Sequence, residues 1–95
     1  LRSSALAGAN RSALFHRQFL DDLRHRGEND RAAALRTLDL VEAVLRDPFA
    51  GVGKPEPLRH QYAGCWSRRI SREHRVVYRV TKNSVEFLLA RYHYS

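Results

Sequence analysis

Three residues in separate parts of this chain have side chains suited to chemistry: Glu56, a carboxylate; Arg75, a guanidinium; and His93, an imidazole. Glu56 stands between Pro55 and Pro57. Two proline rings fix φ on either side, so the backbone is held extended and the carboxylate can be aimed with little loss of entropy. Arg75 begins an alternating segment, and only Tyr94 and Ser95 follow His93. Together such groups suit the attack of a weak oxygen nucleophile on a phosphodiester. The carboxylate takes the proton, the guanidinium neutralises charge on the phosphorane, and the imidazole protonates the leaving oxygen. An RNA strand, with a 2′-hydroxyl beside each phosphate, needs all three. A base of this kind is served by burial or apolar neighbours, which make a carboxylate more basic. Each residue also has an ordinary reading: an exposed loop Glu, a solvated strand Arg, and a surface His near a chain end where order is usually low. Composition and spacing alone do not bring the three together.

Other residues narrow the chemistry. The histidines His16, His25, His60, His74 and His93 include no pair four residues apart, so no metal site is expected, and a 2′-hydroxyl nucleophile needs none. Cys65 is the single cysteine, which excludes an internal disulfide and a cysteine-built zinc site; it reads as structural, and no cofactor is expected. The charge is uneven. Residues 1–50 hold eight Arg against seven acids, and residues 51–95 hold nine Lys+Arg against three, so six of the seven net positive charges fall in the second half. Codon bias accounts for 15 Arg against two Lys, but poorly for that asymmetry, which points to a polyanionic partner. No run of about 18 apolar residues is present to span a membrane. Residues 1–10 lack the apolar core of a secretory signal, so a cytoplasmic chain without membrane contact is expected.

Ninety-five residues make one small domain with one modest core. Ala13-Leu14-Phe15 forms a weak first strand. Arg17 to Arg26 reads as a helix with Phe19, Leu20 and Leu23 on one face and Gly27 as its C-terminal cap. Asn29 or Asp30 caps a second helix to about Arg46, with Ala34, Leu38, Val41 and Leu45 as its buried stripe; Asp47-Pro48 ends it. Phe49 to His60 holds Gly51, Gly53, Pro55 and Pro57 and reads as irregular. Strand patterns follow. Cys65 to Ile70 has Trp66 and Ile70 on one face, with Trp66 a core residue. Arg75 to Thr81 has Val76, Tyr78 and Val80 on one face and Arg75, Val77 and Arg79 on the other. Lys82-Asn83 makes a turn, and Val85 to Tyr92, apolar on both faces, suits an interior strand. Two helices cover one face of a meander, an α+β layer fold that leaves the other face free for Arg75 and its neighbours.

The string from Asp47 to Tyr94 resembles the Txe/YoeB family within the RelE superfamily of toxin endoribonucleases. Four blocks in order carry the resemblance: Pro48-Phe49-Ala50-Gly51-Val52-Gly53-Lys54-Pro55-Glu56-Pro57-Leu58, Trp66-Ser67-Arg68-Arg69-Ile70, Glu73-His74-Arg75-Val76-Val77-Tyr78, and Arg91-Tyr92-His93-Tyr94. It implies a RelE-like α+β fold, a small antiparallel or mixed sheet of about four to five strands covered on one face by two N-terminal helices. Residues 1–10 become an extension, expected to be flexible, before a single toxin domain over 11–95. The implied activity is cleavage of mRNA in the ribosomal A site, silenced by an acidic cognate antitoxin of the YefM/Phd type, with neither metal nor cofactor. Glu56, Arg75 and His93 match the family's general base, phosphate-binding arginine and C-terminal histidine. Arg59 stands where the family usually has Lys, and a guanidinium there suits phosphate contact better than proton transfer. Glu73 is expected to orient Arg75 or His93. Tyr94 is expected to stack on a base or orient the scissile nucleotide, and Lys54 and Arg91 to contact RNA. A homodimer stays open. The alternative is a catalytically inactive basic module that binds RNA, DNA or the antitoxin, for which a carboxylate within a basic groove would have no use.

Overall fold

The structure, a computed structural model, describes residues 11–92. The expectations for residues 1–10, His93 and Tyr94 lie outside the described residues. In chain order the elements are β1 (Ser12–Phe15), α1 (Arg17–Asn29), α2 (Arg31–Arg46), β2 (Glu56–Pro57), a 3-10 turn (His60–Tyr62), β3 (Trp66–Arg69), β4 (Arg75–Val80) and β5 (Ser84–Tyr92). They form a mixed sheet of order β1-β5-β4-β3-β2. β1 runs parallel to β5, and the remaining neighbours are antiparallel. The expected α+β class and the weak first strand both stand.

The helices bury one face each against the same side of the sheet. Phe19 of α1 and Leu40, Val41 and Val44 of α2 pack on Ile70, Val76, Tyr78, Val85, Phe87 and Ala90. Trp66 is partly buried at the margin of this core and meets Phe49 edge-on, with ring centroids 5.1 Å apart. One residue serves both helices at their junction. The Asp30 backbone N–H donates to Arg26 O and closes α1, while its Oδ1 accepts from Ala33 N at 3.1 Å and caps α2.

Two helical expectations are corrected. α1 runs through Gly27 to Asn29 instead of ending there. An interior glycine costs only about 1 kcal/mol relative to alanine, and buried Arg26 holds this last turn against the sheet. The buried residues of α2 are Ala34, Thr37, Leu40, Val41, Ala43 and Val44, with Leu45 packed partly buried against the core, whereas Leu38 is 44% exposed. Thr37 is polar in type, but its hydroxyl donates to Ala33 O at 2.8 Å. That bond satisfies it inside the helix, so it can be buried; of the expected stripe Ala34, Val41 and Leu45 meet the core and only Leu38 turns outward.

The sheet also departs from expectation. The irregular segment 49–60 contains β2, with Glu56 opposite Ser67 and Pro57 opposite Trp66; an edge position tolerates Pro57, which has no N–H to donate. The far face is not bare. Leu58, Cys65 and Val77 form a second small cluster there, with Tyr62, Leu88 and Leu89 packed on it. Burial pushes the Cys65 thiol above its ordinary pKa, consistent with a structural residue. β5 is interior as expected, but its register against β4 is irregular on either side of Val77. The resulting bulges let both Phe87 and Ala90 face the helices. β5 pairs with β1 only as far as Phe87. Beyond it, side chains of α1 replace the missing strand: Ala90 N donates to Asp22 Oδ2 at 2.9 Å, and Arg26 Nη2 donates to Ala90 O at 3.2 Å.

The long α2–β3 connection is fastened by Arg68, which is fully buried on the helix-facing side of β3. Its Nη1 donates to Val52 O at 3.1 Å, and its Nη2 donates to Ala50 O at 3.0 Å and to Asp47 O. Its Nε donates to the Tyr78 hydroxyl at 3.2 Å, which in turn donates to Pro48 O at 2.6 Å. Burial pushes the Tyr78 hydroxyl above its usual range, with the bond from Arg68 opposing that shift. Gly53 completes the fastening. Its carbonyl accepts from Arg69 N at 2.7 Å, its φ is +86°, and a Cβ there would lie 2.9 Å from Leu40 Cδ2.

Arg68→Met keeps the length of the stem but strips several buried acceptors of their donor. It is expected to lower stability by about 3–5 kcal/mol. Gly53→Ala, which meets a left-handed backbone and a nearby side chain, is expected to lose about 1–2 kcal/mol. Urea unfolding followed by circular dichroism checks both values and their order; midpoints equal to the parent's would show that the connection is not fastened this way.

Candidate active site

Glu56, Ser67 and Arg75 lie on three successive strands, β2, β3 and β4, on the sheet face opposite the helices. Ser67 is the register partner of Glu56 on one side and of Val77 on the other, while Arg75 pairs with Arg69. The Arg75 side chain therefore reaches diagonally over the middle strand. Its Nη1 donates to Ser67 Oγ at 3.0 Å and to Glu56 Oε1 at 2.9 Å. The guanidinium side chain is only 8% exposed, whereas the Glu56 side chain is 43% exposed. The cation is thus the fixed member of the pair, and the carboxylate is the member that faces solvent.

Local sequence explains the position of each group. Pro55 and Pro57 keep Glu56 extended at the sheet edge, and the Arg68 fastening sets where that edge begins. On the other side of Glu56, Leu58 N donates to Cys65 O at 2.9 Å, which returns the chain to β3. Glu56, Pro57, Leu58 and Arg59 line an open depression of about 400 Å³. β5 ends at Tyr92, whose Cα is the register partner of Arg75. The described part of the strand thus reaches the level of Arg75 one residue before His93 in the sequence.

Among the residues singled out from sequence, the structure brings Glu56 and Arg75 into direct contact, with exposed Arg59 on the same depression. Lys54 is exposed and holds a left-handed φ of +53° just before Pro55. Glu73 has a side chain 77% exposed, with its Oε1 4.0 Å from His74 Nε2. Arg91 is exposed, and its charge is felt by Arg26 of α1, whose pKa is lowered first by burial and then by Arg91. Arg75 itself is buried, contrary to the expectation of a free face. Arg68 is buried too, so the basic surface of the second half is smaller than its net charge implies. Arg79 is tied to Glu86 at 2.5 Å, a contact that lowers the carboxylate's pKa and raises the guanidinium's.

Two residues given no role on sequence grounds belong to this site. Ser67 touches Arg75, and exposed Arg69 is the register partner of Arg75. The strand alternation held the signal: once Trp66 and Ile70 face the core, Arg68 must face it as well, and Ser67 and Arg69 must share the face of Arg75. Chemically, a buried, fixed guanidinium can hold a phosphate, and the adjoining half-exposed carboxylate can accept a proton.

Comparison with known proteins fits this geometry. Residues 15–94 match the model of the YoeB-like toxins of bacterial type II toxin–antitoxin systems. The chain is 54% identical over 65 residues to Toxin RelK of Mycobacterium tuberculosis, covering 68% of this chain and 76% of that one. It is 46% identical over 74 residues to Toxin YoeB of Escherichia coli K12, covering 78% and 88%. The structure of a YoeB dimer from Staphylococcus aureus superposes with a TM-score of 0.81 at 32% identity, over 90% of this chain and 99% of that one. A YoeB–YefM complex from the same organism superposes with a TM-score of 0.77 at 32% identity, over 88% and 98%. With four sequence blocks, the mixed sheet and this breadth of match in agreement, the chain belongs to the family of YoeB-like toxins of bacterial type II toxin–antitoxin systems.

Proposed function

We propose that this domain is a ribosome-dependent endoribonuclease of the cytoplasm, which cuts mRNA in the A site and so inhibits translation. The observation that carries this reading is the contact between Glu56 and Arg75, a carboxylate and a buried guanidinium 2.9 Å apart beside an open depression. A module that only bound polyanions would be weakened by a carboxylate at that point.

In the proposed reaction Arg75 binds the scissile phosphate and Glu56 takes the proton of the adjacent 2′-hydroxyl. The 2′-oxygen forms a bond to phosphorus as the bond to the 5′-oxygen breaks. His93 protonates the departing 5′-oxygen, and Arg75 stabilises the charge that develops between the two events. Lys54, Arg59 and Arg91 supply phosphate contacts along the strand, Glu73 supports the site, and Tyr94 stacks on a base. The depression is small and open, so alignment of the 2′-oxygen, phosphorus and leaving oxygen comes largely from the ribosome.

The partner that silences it is proposed to be an acidic antitoxin segment of the YefM/Phd type that folds on the basic half of the domain. The solved complex of a related YoeB with YefM supports that choice, and the solved YoeB dimer supports self-association as a second arrangement.

Primer extension on translating ribosomes locates the cut, and end-group analysis of the two fragments with polynucleotide kinase and mass spectrometry tests the chemistry. The 3′ fragment is expected to begin with a 5′-hydroxyl and the 5′ fragment to end in a 2′,3′-cyclic phosphate or the 3′-phosphate derived from it. A 5′-phosphate on the 3′ fragment would defeat the scheme. Glu56→Gln, which keeps shape and removes basicity, is expected to slow cleavage roughly 10²–10⁴-fold, and His93→Gln similarly. Arg75→Ala is expected to lose about 10²–10³-fold.

Ribosome-bound message is expected to be cut far faster than the same message free in solution. Equal rates on the two substrates would replace the ribosome-dependent reading with a general ribonuclease.

A further inference from the structure

We propose that Ser67 is a positioning residue for the proposed cleavage: it fixes the Arg75 guanidinium so that Arg75 can exchange Glu56 for a phosphate without leaving the site. This inference rests on the ribonuclease reading of the Glu56–Arg75 pair and assigns a role to a residue between them.

The geometry is specific. Ser67 is fully buried in the middle of the three strands, opposite Glu56. Arg75 starts from the neighbouring strand opposite Arg69 and must cross β3 at residue 67 to reach Glu56. A long side chain at position 67 would fill that path. Serine leaves it open and adds an acceptor. A guanidinium terminal nitrogen carries two hydrogens, and Nη1 directs its bonds to Ser67 Oγ at 3.0 Å and Glu56 Oε1 at 2.9 Å. The two acceptors differ in accessibility: Ser67 is sealed from solvent, whereas the Glu56 side chain is 43% exposed. An incoming phosphate oxygen can therefore displace the carboxylate but not the hydroxyl. The Ser67 bond persists as the pivot, and the displaced carboxylate becomes available to the 2′-hydroxyl proton while remaining next to the phosphate. Without the pivot, Nη1 would lose its solvent-sealed acceptor just as its exposed one is replaced.

The test uses Ser67→Ala in the full chain, with single-turnover and steady-state cleavage of ribosome-bound message. The expected result is a fall in kcat of roughly ten- to a hundredfold, the range for losing one charge-assisted hydrogen bond, with KM little changed and the unfolding midpoint lowered only as far as the loss of that one buried bond requires. In an Arg75→Gln background the same substitution is expected to add little further loss, because Ser67 acts through Arg75. Cleavage by Ser67→Ala at the parent rate, or an equal loss with and without Arg75, would overturn the proposal. A measurement independent of activity accompanies these. In ¹⁵N–¹H NMR of the parent, the two hydrogens of the Arg75 terminal nitrogen are expected to give separate, slowly exchanging signals, which merge in Ser67→Ala. Unchanged rotation in the variant also overturns the proposal. A parent protein that fails to cut ribosome-bound message defeats the ribonuclease reading instead, and the NMR comparison then decides alone whether Ser67 holds Arg75.

Discussion

A buried arginine holds this domain in its working shape. Arg68 places a cation inside the protein without a carboxylate against it in the hydrogen bonds described; its acceptors are backbone carbonyls of Asp47, Ala50 and Val52 and the hydroxyl of Tyr78. Burying a charge is unfavourable unless hydrogen bonds replace its hydration. Here the need is reciprocal. The segment after α2 has carbonyls without helix or strand partners, and Arg68 supplies donors to several of them at once. A flexible connection thereby becomes a fixed one. The position of Glu56, a few residues further along, follows from that constraint.

A second layer of constraint sits on the opposite face of the same strand. Arg68 and Ser67 are adjacent in sequence and point to opposite faces; one fastens the loop and the other meets Arg75. β3, four residues long, thus links the packing of the helix face to the geometry of the candidate site. At the far side of the sheet, Asp22 and Arg26 bond the backbone of Ala90 where β1 has ended. That contact steadies the bulged end of β5, whose last residue is opposite Arg75. The site is therefore assembled from the first residues of β2 and β4 beside the last described residue of β5, with Arg68 anchoring the approach to β2 and Asp22 and Arg26 anchoring β5.

Much of the architecture was legible in the residues. The helix at 31–46 with its Asp30 cap, the alternation in β4 and the two-sided apolar run of β5 all follow from period and burial. The misreadings have physical causes. Thr37 was polar by type but satisfied within its own helix, so polarity did not predict exposure. Gly27 looked like a stop, yet tertiary packing of Arg26 outweighs a small propensity penalty. β2 is too short for any periodic signal and exists because Ser67 and Trp66 offer it a partner. Charge counting overstated the basic surface of the second half because Arg68 and Arg75 are buried.

By itself the sequence determined the class of the domain and its family resemblance, and it showed a proline-held carboxylate and a strand arginine as separate candidates for chemistry that only the resemblance joined. These are properties of residue type, local backbone restriction and short-range order, which a linear string records. Only the tertiary structure decided that Arg75 is buried and crosses β3, that Ser67 meets it, and that Arg68 holds the loop behind Glu56. Those outcomes depend on which strands become neighbours and in what register. A shift of one residue would turn Ser67 to the core and Arg68 to the site. Register is set by the whole sheet and the helices packed on it, so no local stretch of sequence could state it.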